Sequence, residues 1–225
     1  MANKNILPFF QYGGWTVPHS FYFPMAKNLL QQAKDLGFQI ENRENEIKQK
    51  IKSEEPEWDE HTTDGYVHHL INEDYNQINA ICISTQIFSC MAVEAFLNYY
   101  GVKRLGEDYY KRSLERLGIS QKLETLIAIC VQELIDDKSE IATTTRRMFD
   151  RRNKLAHPKS KEMFNNKGKP VFSAPVNPLD QAEQAVNDMV IFFNKFQEID
   201  ESIKFENPNN IQGHTVLFAE DMPYD

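Results

Sequence analysis

Several features that define protein classes are scarce or absent in this sequence of 225 residues. It holds three cysteines and no CxxC pair, which excludes a disulfide scaffold and a zinc knuckle. No unbroken apolar run reaches the roughly 18 residues of a membrane helix. The N-terminus lacks the basic and apolar regions of a secretory signal. We therefore expect a protein of the reducing cytoplasm with no membrane partner.

Positive charge is also scarce, and nine of the 25 Lys/Arg residues are concentrated in one segment. The formal net charge is -8, yet residues 146–169 carry nine Lys/Arg against two acids, a local charge of +7. The other 201 residues therefore sum to -15. One basic segment in an acidic chain predicts a specific place for an anion rather than general binding of polyanions.

The alternation of apolar and polar residues that marks half-buried strands is missing, as are internal repeats. Apolar residues recur instead at helical spacing, most strongly over 72–100, where they cover several sides of the predicted helix. The sequence therefore predicts an all-α bundle of about five to seven helices and excludes a Rossmann-type fold.

Glycine, proline and capping residues set the expected boundaries. The predicted helices are Pro24–Gly37, 40–51, Asn72–Tyr100, 106–117, one that begins at a Ser120 cap, one from a Ser139 cap to Ala156, and one from Asn177-Pro178 to Ile203. Gly101 is expected to end the helix that begins at Asn72, and Pro158 the helix that begins at Ser139. Residues 53–65 and 159–176 are predicted to be loops, and Thr215–Ala219 one short extended piece.

Three parts of the chain are expected. Residues 1–70 form an aromatic N-terminal segment and helices that pack on the body. Residues 72–203 form the helical bundle, and residues 204–225 a turn-rich tail.

The clearest candidate site is the stretch RRNKLAHP, which closes a predicted helix inside the basic segment. His157 titrates near neutral pH and can take or give a proton. Arg152 offers a fixed fork of donors to a phosphate. Asn153 lies four residues before His157 and shares its helix face. These are the groups that phosphodiester chemistry requires.

Further side chains are candidate substrate contacts: Arg151, Arg147, Lys154, Lys159 and Glu94. A histidine cluster at His61, His68 and His69 has no HExxH pattern and no second ligand cluster. We therefore expect neither a metal nor another cofactor.

These residues carry a resemblance to a known family. RRNKLAHP resembles the Arg-x4-6-His motif of HEPN domains, in the form with Asn after the Arg. Residues Ser84–Tyr100 are similar to the long, earlier helix of those domains, with Glu94, Ala95, Leu97 and Asn98 in its EA-x-LN pattern. The resemblance covers about residues 72–203.

The resemblance implies a helical bundle that pairs as a two-fold homodimer and cuts RNA without a metal. The ribose 2'-OH attacks the adjacent phosphate and leaves a 2',3'-cyclic phosphate and a 5'-OH. Arg152 would hold the phosphate, His157 would act as general acid or base, and Asn153 would orient one of them. The implied partners are single-stranded RNA or tRNA and an inhibitor or sensor protein, in a toxin or antiviral defence setting.

Several alternatives stay open at this level. Arg151 also fits the motif, because five residues separate it from His157. Lys159 stands where one HEPN branch has the tyrosine that it uses in pairing with a nucleotidyltransferase antitoxin. The chain can also be read as a non-catalytic HEPN-like module that docks a protein, nucleotide or RNA, or as an accessory domain of a nucleotide-transferring enzyme.

Overall fold

The computed structural model describes residues 17–157, 177–204 and 206–210. Within these ranges the chain forms seven α-helices and one short 3-10 helix, with no strand. The α-helices are α1 Pro18–Glu54, α2 Glu60–Leu70, α3 Asn72–Leu105, α4 Glu107–Ser113, α5 Ile119–Cys130, α6 Glu140–Ala156 and α7 Pro178–Ile199. The predicted all-α bundle of five to seven helices is confirmed. The predictions for residues 1–16, Pro158, the loop with Lys159 and Thr215–Ala219 lie outside the described residues.

Helix α3 lies at the centre of the bundle, as its apolar pattern predicts. Phe96 and Tyr100 are fully buried and meet an aromatic face of α7. The ring centroids of Phe96 and Phe196 are 5.0 Å apart in an edge-to-face arrangement, the geometry that aromatic quadrupoles favour. Helices α1, α5 and α6 add side chains to the same core, among them Phe23, Leu126 and Met148. The core therefore fixes the position of α6 against α3 and α7.

Helix α3 is also long and apolar enough to cross a membrane, judged by length and composition alone. An unbroken apolar run is a stricter criterion, which α3 does not meet because polar residues such as Gln86 and Glu94 interrupt it. Half of its most apolar stretch is buried inside the protein, as in the core helix of a bundle.

The two helices predicted before residue 52 form the single 37-residue helix α1. It begins at Pro18 and not at Pro24, which lies inside it. Gly37 does not end a helix, contrary to the prediction. A Cβ atom at Gly37 would lie 3.3 Å from Ile78 Cδ1, so the missing side chain lets α1 and α3 approach closely.

Gly101 was also wrongly predicted as a helix end. Helix α3 continues to Leu105, and Gly106 ends it with a φ of 82°. A Cβ atom at Gly101 would lie 2.5 Å from the ring of Tyr110. Glycine is required there because the aromatic ring of α4 packs directly on the α3 backbone.

The starts of α2 and α5 also differ from the prediction, whereas two predicted caps are present. The predicted loop over 53–65 is shorter, because the Asp59 carboxylate accepts a hydrogen bond from the Thr62 N–H at 2.7 Å and starts α2. Helix α5 begins after Gly118, so Ser120 lies inside its first turn. The predicted caps at Ser139 and Asn177 are confirmed, since each side chain accepts a backbone N–H of its helix.

Burial of His19 makes stability depend on pH. The imidazole is fully buried against Phe96, Tyr99 and Phe193. This burial lowers the pKa of His19 to about 4, although a hydrogen bond to the Glu206 carbonyl opposes part of the shift. The folded state therefore favours the neutral imidazole.

We expect the free energy of unfolding to fall by about 3 kcal/mol between pH 6.5 and pH 4. In this range His19 binds a proton in the unfolded chain but stays neutral in the folded protein. The contribution becomes constant only about one pH unit above 6.5, where the imidazole is neutral in both states. Urea unfolding across this range measures it. His19→Gln should remove the dependence while keeping a donor for the Glu206 carbonyl, and an unchanged slope in this variant would contradict the assignment.

Candidate functional site

Helix α6 carries the predicted motif and is anchored by its buried face. Met148 and Phe149 enter the core, and the Cys90 thiol donates to the Met148 carbonyl at 3.5 Å. Burial raises the pKa of Cys90 to about 12, so this cysteine is an inert core thiol. The helix ends at Ala156, and His157 caps it by donating its backbone N–H to the Asn153 carbonyl at 2.9 Å.

Arg152 is directed towards α3, where it meets Glu94. Its Nη2 atom lies 3.6 Å from Glu94 Oε2, and its guanidinium lies 5.3 Å from the centre of the Phe149 ring. Its side chain keeps 33% of its surface exposed. An exposed ion pair of this length contributes little stability, so an incoming phosphate can compete for the arginine.

Asn153 and His157 are exposed at the end of α6. At about 100° per residue, Asn153 lies about 100° around the helix from Arg152. Within the described part of the chain, no hydrogen bond or ion pair joins the His157 side chain to Arg152 or Asn153. The structure therefore places Arg152 beside Glu94, and it leaves the His157 and Asn153 side chains facing solvent.

Arg151 and Arg147 are held by a carboxylate of α7 that the motif analysis missed. Asp188 is fully buried, and the Arg147 Nε atom donates to its Oδ2 atom at 3.1 Å. Arg151 Nη2 donates to the same oxygen, and the Gln184 amide donates to Oδ1 at 2.9 Å. The hydrogen bond to Asp188 raises the pKa of Arg147. The spacing from Ala185 to Phe192 on the apolar face of α7 places Asp188 inward, and that was the available signal.

A cleft of about 510 Å³ opens on the other side of the α6 end. Gln86 of α3 and Arg151, Lys154 and Leu155 of α6 line it. Its third wall is the start of α7, with Asp180, Gln181 and Gln184. Lys154 and Arg151, both predicted as substrate contacts, therefore face this cleft, whereas Arg152 faces Glu94.

No family model, curated protein or solved structure matches this chain.

Proposed function

We propose that this protein is an endoribonuclease whose catalytic groups are Arg152, Asn153 and His157. The observation that carries the proposal is the end of α6, which presents an exposed histidine, an exposed amide and a weakly held arginine within six consecutive residues. The proposal includes a toxin or antiviral defence role, with single-stranded RNA or tRNA as the substrate.

The geometry favours Arg152 over Arg151 as the phosphate-binding arginine. Arg151 donates to a fully buried carboxylate, and moving it to a substrate would weaken that pairing. Arg152 has only the partly exposed Glu94 as its ion-pair partner among the described residues. A phosphate can replace Glu94 with charge-assisted hydrogen bonds at little cost. Glu94 would then hold the arginine in place until the RNA binds.

A second copy of the chain would complete the site. Ile83 and Ile87 are 40% and 37% exposed, and helical spacing places them on the same side of α3 as Glu94. Ile87 lies about two helical turns before Glu94 along α3. Two copies packed through this side of α3 would bury the isoleucines and bring both α6 ends to one cleft, consistent with the two-fold pairing that the resemblance implies.

Two histidines in one cleft satisfy the proton balance of the reaction. One His157 would take the proton of the ribose 2'-OH while that oxygen forms a bond to phosphorus. The other His157 would give a proton to the 5' oxygen as the P–O5' bond breaks. The Arg152 guanidinium would stabilise the charge that develops on the phosphate oxygens. The products are a 2',3'-cyclic phosphate and a 5'-OH.

The reaction is tested with an RNA that lacks the attacking group. Wild-type protein is incubated in EDTA with a labelled single-stranded RNA and with the same sequence carrying 2'-deoxyribose throughout. We expect cleavage of the RNA only, because the 2'-OH is the nucleophile. Cleavage of the deoxy strand, or cleavage that EDTA stops, would contradict the mechanism.

A non-catalytic docking module is the second candidate. The observation that favours it is the Arg152–Glu94 ion pair, which leaves Arg152 and the His157 side chain without a contact to each other. In that reading the basic α6 end binds an acidic protein, a nucleotide or RNA without cutting it. Co-purification of a partner after nuclease treatment, with no RNA cleavage at high protein concentration, would support this candidate.

A further inference from the structure

Gln86, which lines the cleft between α3, α6 and α7, has a buried acceptor without a partner. Gln86 is 3% exposed, and its Nε2 atom donates to the Cys82 carbonyl at 3.3 Å. A carbonyl only accepts, so the amide nitrogen must face it and the amide oxygen takes no part in this hydrogen bond. That Oε1 atom has no hydrogen-bond partner, and a buried polar atom left so is costly.

Arg151, which lines the same cleft, has a buried donor without a partner. The guanidinium of Arg151 is fixed through Nη2 by Asp188, while its buried Nε atom has no acceptor. Lys154 adds a cation to the same wall, and Leu155 adds an apolar surface. Two residues that line the cleft, Gln86 and Arg151, therefore each carry a buried polar atom without a partner, and Lys154 and Leu155 line the same cleft.

The start of α7 adds acceptors. The Gln184 amide nitrogen is held by the Asp188 carboxylate at 2.9 Å, which again leaves the amide oxygen for another donor. The Asp180 carboxylate also lines the cleft. The cleft thus offers more acceptors than a phosphate can use, and a ligand that fits it must bring hydrogen-bond donors as well as an acceptor.

A nucleobase with an amino group next to an unprotonated ring nitrogen has this pattern. Cytosine and adenine present such an edge, whereas uracil presents a carbonyl beside an N–H group. Glutamine amides commonly read base edges. The volume of about 510 Å³ lies in the range of small-ligand sites and admits a single nucleotide.

We infer that this cleft binds a cytosine or adenine of the RNA strand, with the base amino group on Gln86 Oε1 and the adjacent ring nitrogen on Arg151 Nε. Lys154 contacts the phosphate of that nucleotide, and Leu155 packs on the base. The inference rests on the proposed function, because the bound nucleotide belongs to the strand that is cut at the α6 end. Gln86 is thereby a specificity-determining residue for that reaction.

The test uses tetranucleotides of 2'-fluoro-cytidine and 2'-fluoro-uridine, which have no attacking hydroxyl and are not cut. Their affinities for the full-length protein are measured by fluorescence anisotropy. We expect the cytidine strand to bind about tenfold more tightly than the uridine strand. Gln86→Met keeps the side-chain length and removes the oxygen, so it should reduce this preference to about twofold or less.

Gln77→Met is the matched control, since Gln77 is exposed on the same helix, and it should keep the tenfold preference. Equal affinity of the two strands for wild-type protein, or no binding of either, overturns the inference. A preference that survives in Gln86→Met overturns the role of Gln86. RNA cleavage without base preference would overturn the inference and leave the proposed function intact. Base preference without RNA cleavage would overturn the proposed function and leave base binding in the cleft intact.

Discussion

His157→Ala is expected to lower the rate of RNA cleavage by about 10²–10⁴-fold, the usual contribution of a positioned acid–base group. The loss should appear in the single-turnover rate constant and not in RNA affinity, because in the proposed mechanism His157 would transfer protons while Arg152 would hold the phosphate. The variant should keep the wild-type unfolding midpoint, since the side chain is exposed and makes no contact in the core.

His61→Ala is the control for this loss. His61 is also an exposed histidine, but it lies in the first turn of α2, away from the basic α6 end. We expect its cleavage rate to equal that of wild type. Equal activity of His157→Ala and His61→Ala would show that the α6 end is not the catalytic site.

Asp200→Ala is expected to lower the free energy of unfolding by about 3–5 kcal/mol. Asp200 is fully buried at the end of α7, where it accepts from Arg104 Nη2 at 2.7 Å and from the Tyr100 hydroxyl at 2.7 Å. The Arg104 side chain is only 2% exposed. Removing the carboxylate therefore breaks a buried ion pair and its hydrogen bonds to Arg104 and Tyr100, which costs much more than the loss of a surface pair.

Urea unfolding of Asp200→Ala measures this effect. Asp150→Ala is the matched control, because Asp150 is exposed on α6 and a surface substitution of this kind usually changes stability by less than about 0.5 kcal/mol. A loss below about 1 kcal/mol for Asp200→Ala would contradict the view that this ion pair locks the end of α7 to α3.

The sequence predicted those helices and caps whose defining residues lie within one or two helical turns of each other. The caps at Ser139 and Asn177 and the apolar faces of α3 and α7 were found because a short range of sequence determines them. Gly37 and Gly101 were misread as helix ends. Their role is to admit Ile78 and Tyr110, and sequence spacing does not show which distant side chain packs on a glycine.

The same limit applies to the site. The motif alone could not separate Arg151 from Arg152, because the carboxylate that holds Arg151 lies 37 residues later in the chain. The role of Gln86 was equally hidden. Its significance comes from an amide oxygen without a partner in a cleft formed by three helices, which no spacing in the sequence reveals.

Analysis of product ends tests the central claim most directly. Labelled single-stranded RNA and total tRNA are incubated in EDTA with wild-type protein and with His157→Ala, and the product ends are identified by mass spectrometry. Wild-type protein should give 2',3'-cyclic phosphate and 5'-OH ends, and His157→Ala should give none. The same products from both proteins, or no cleavage by wild type, would contradict a ribonuclease site at the end of α6.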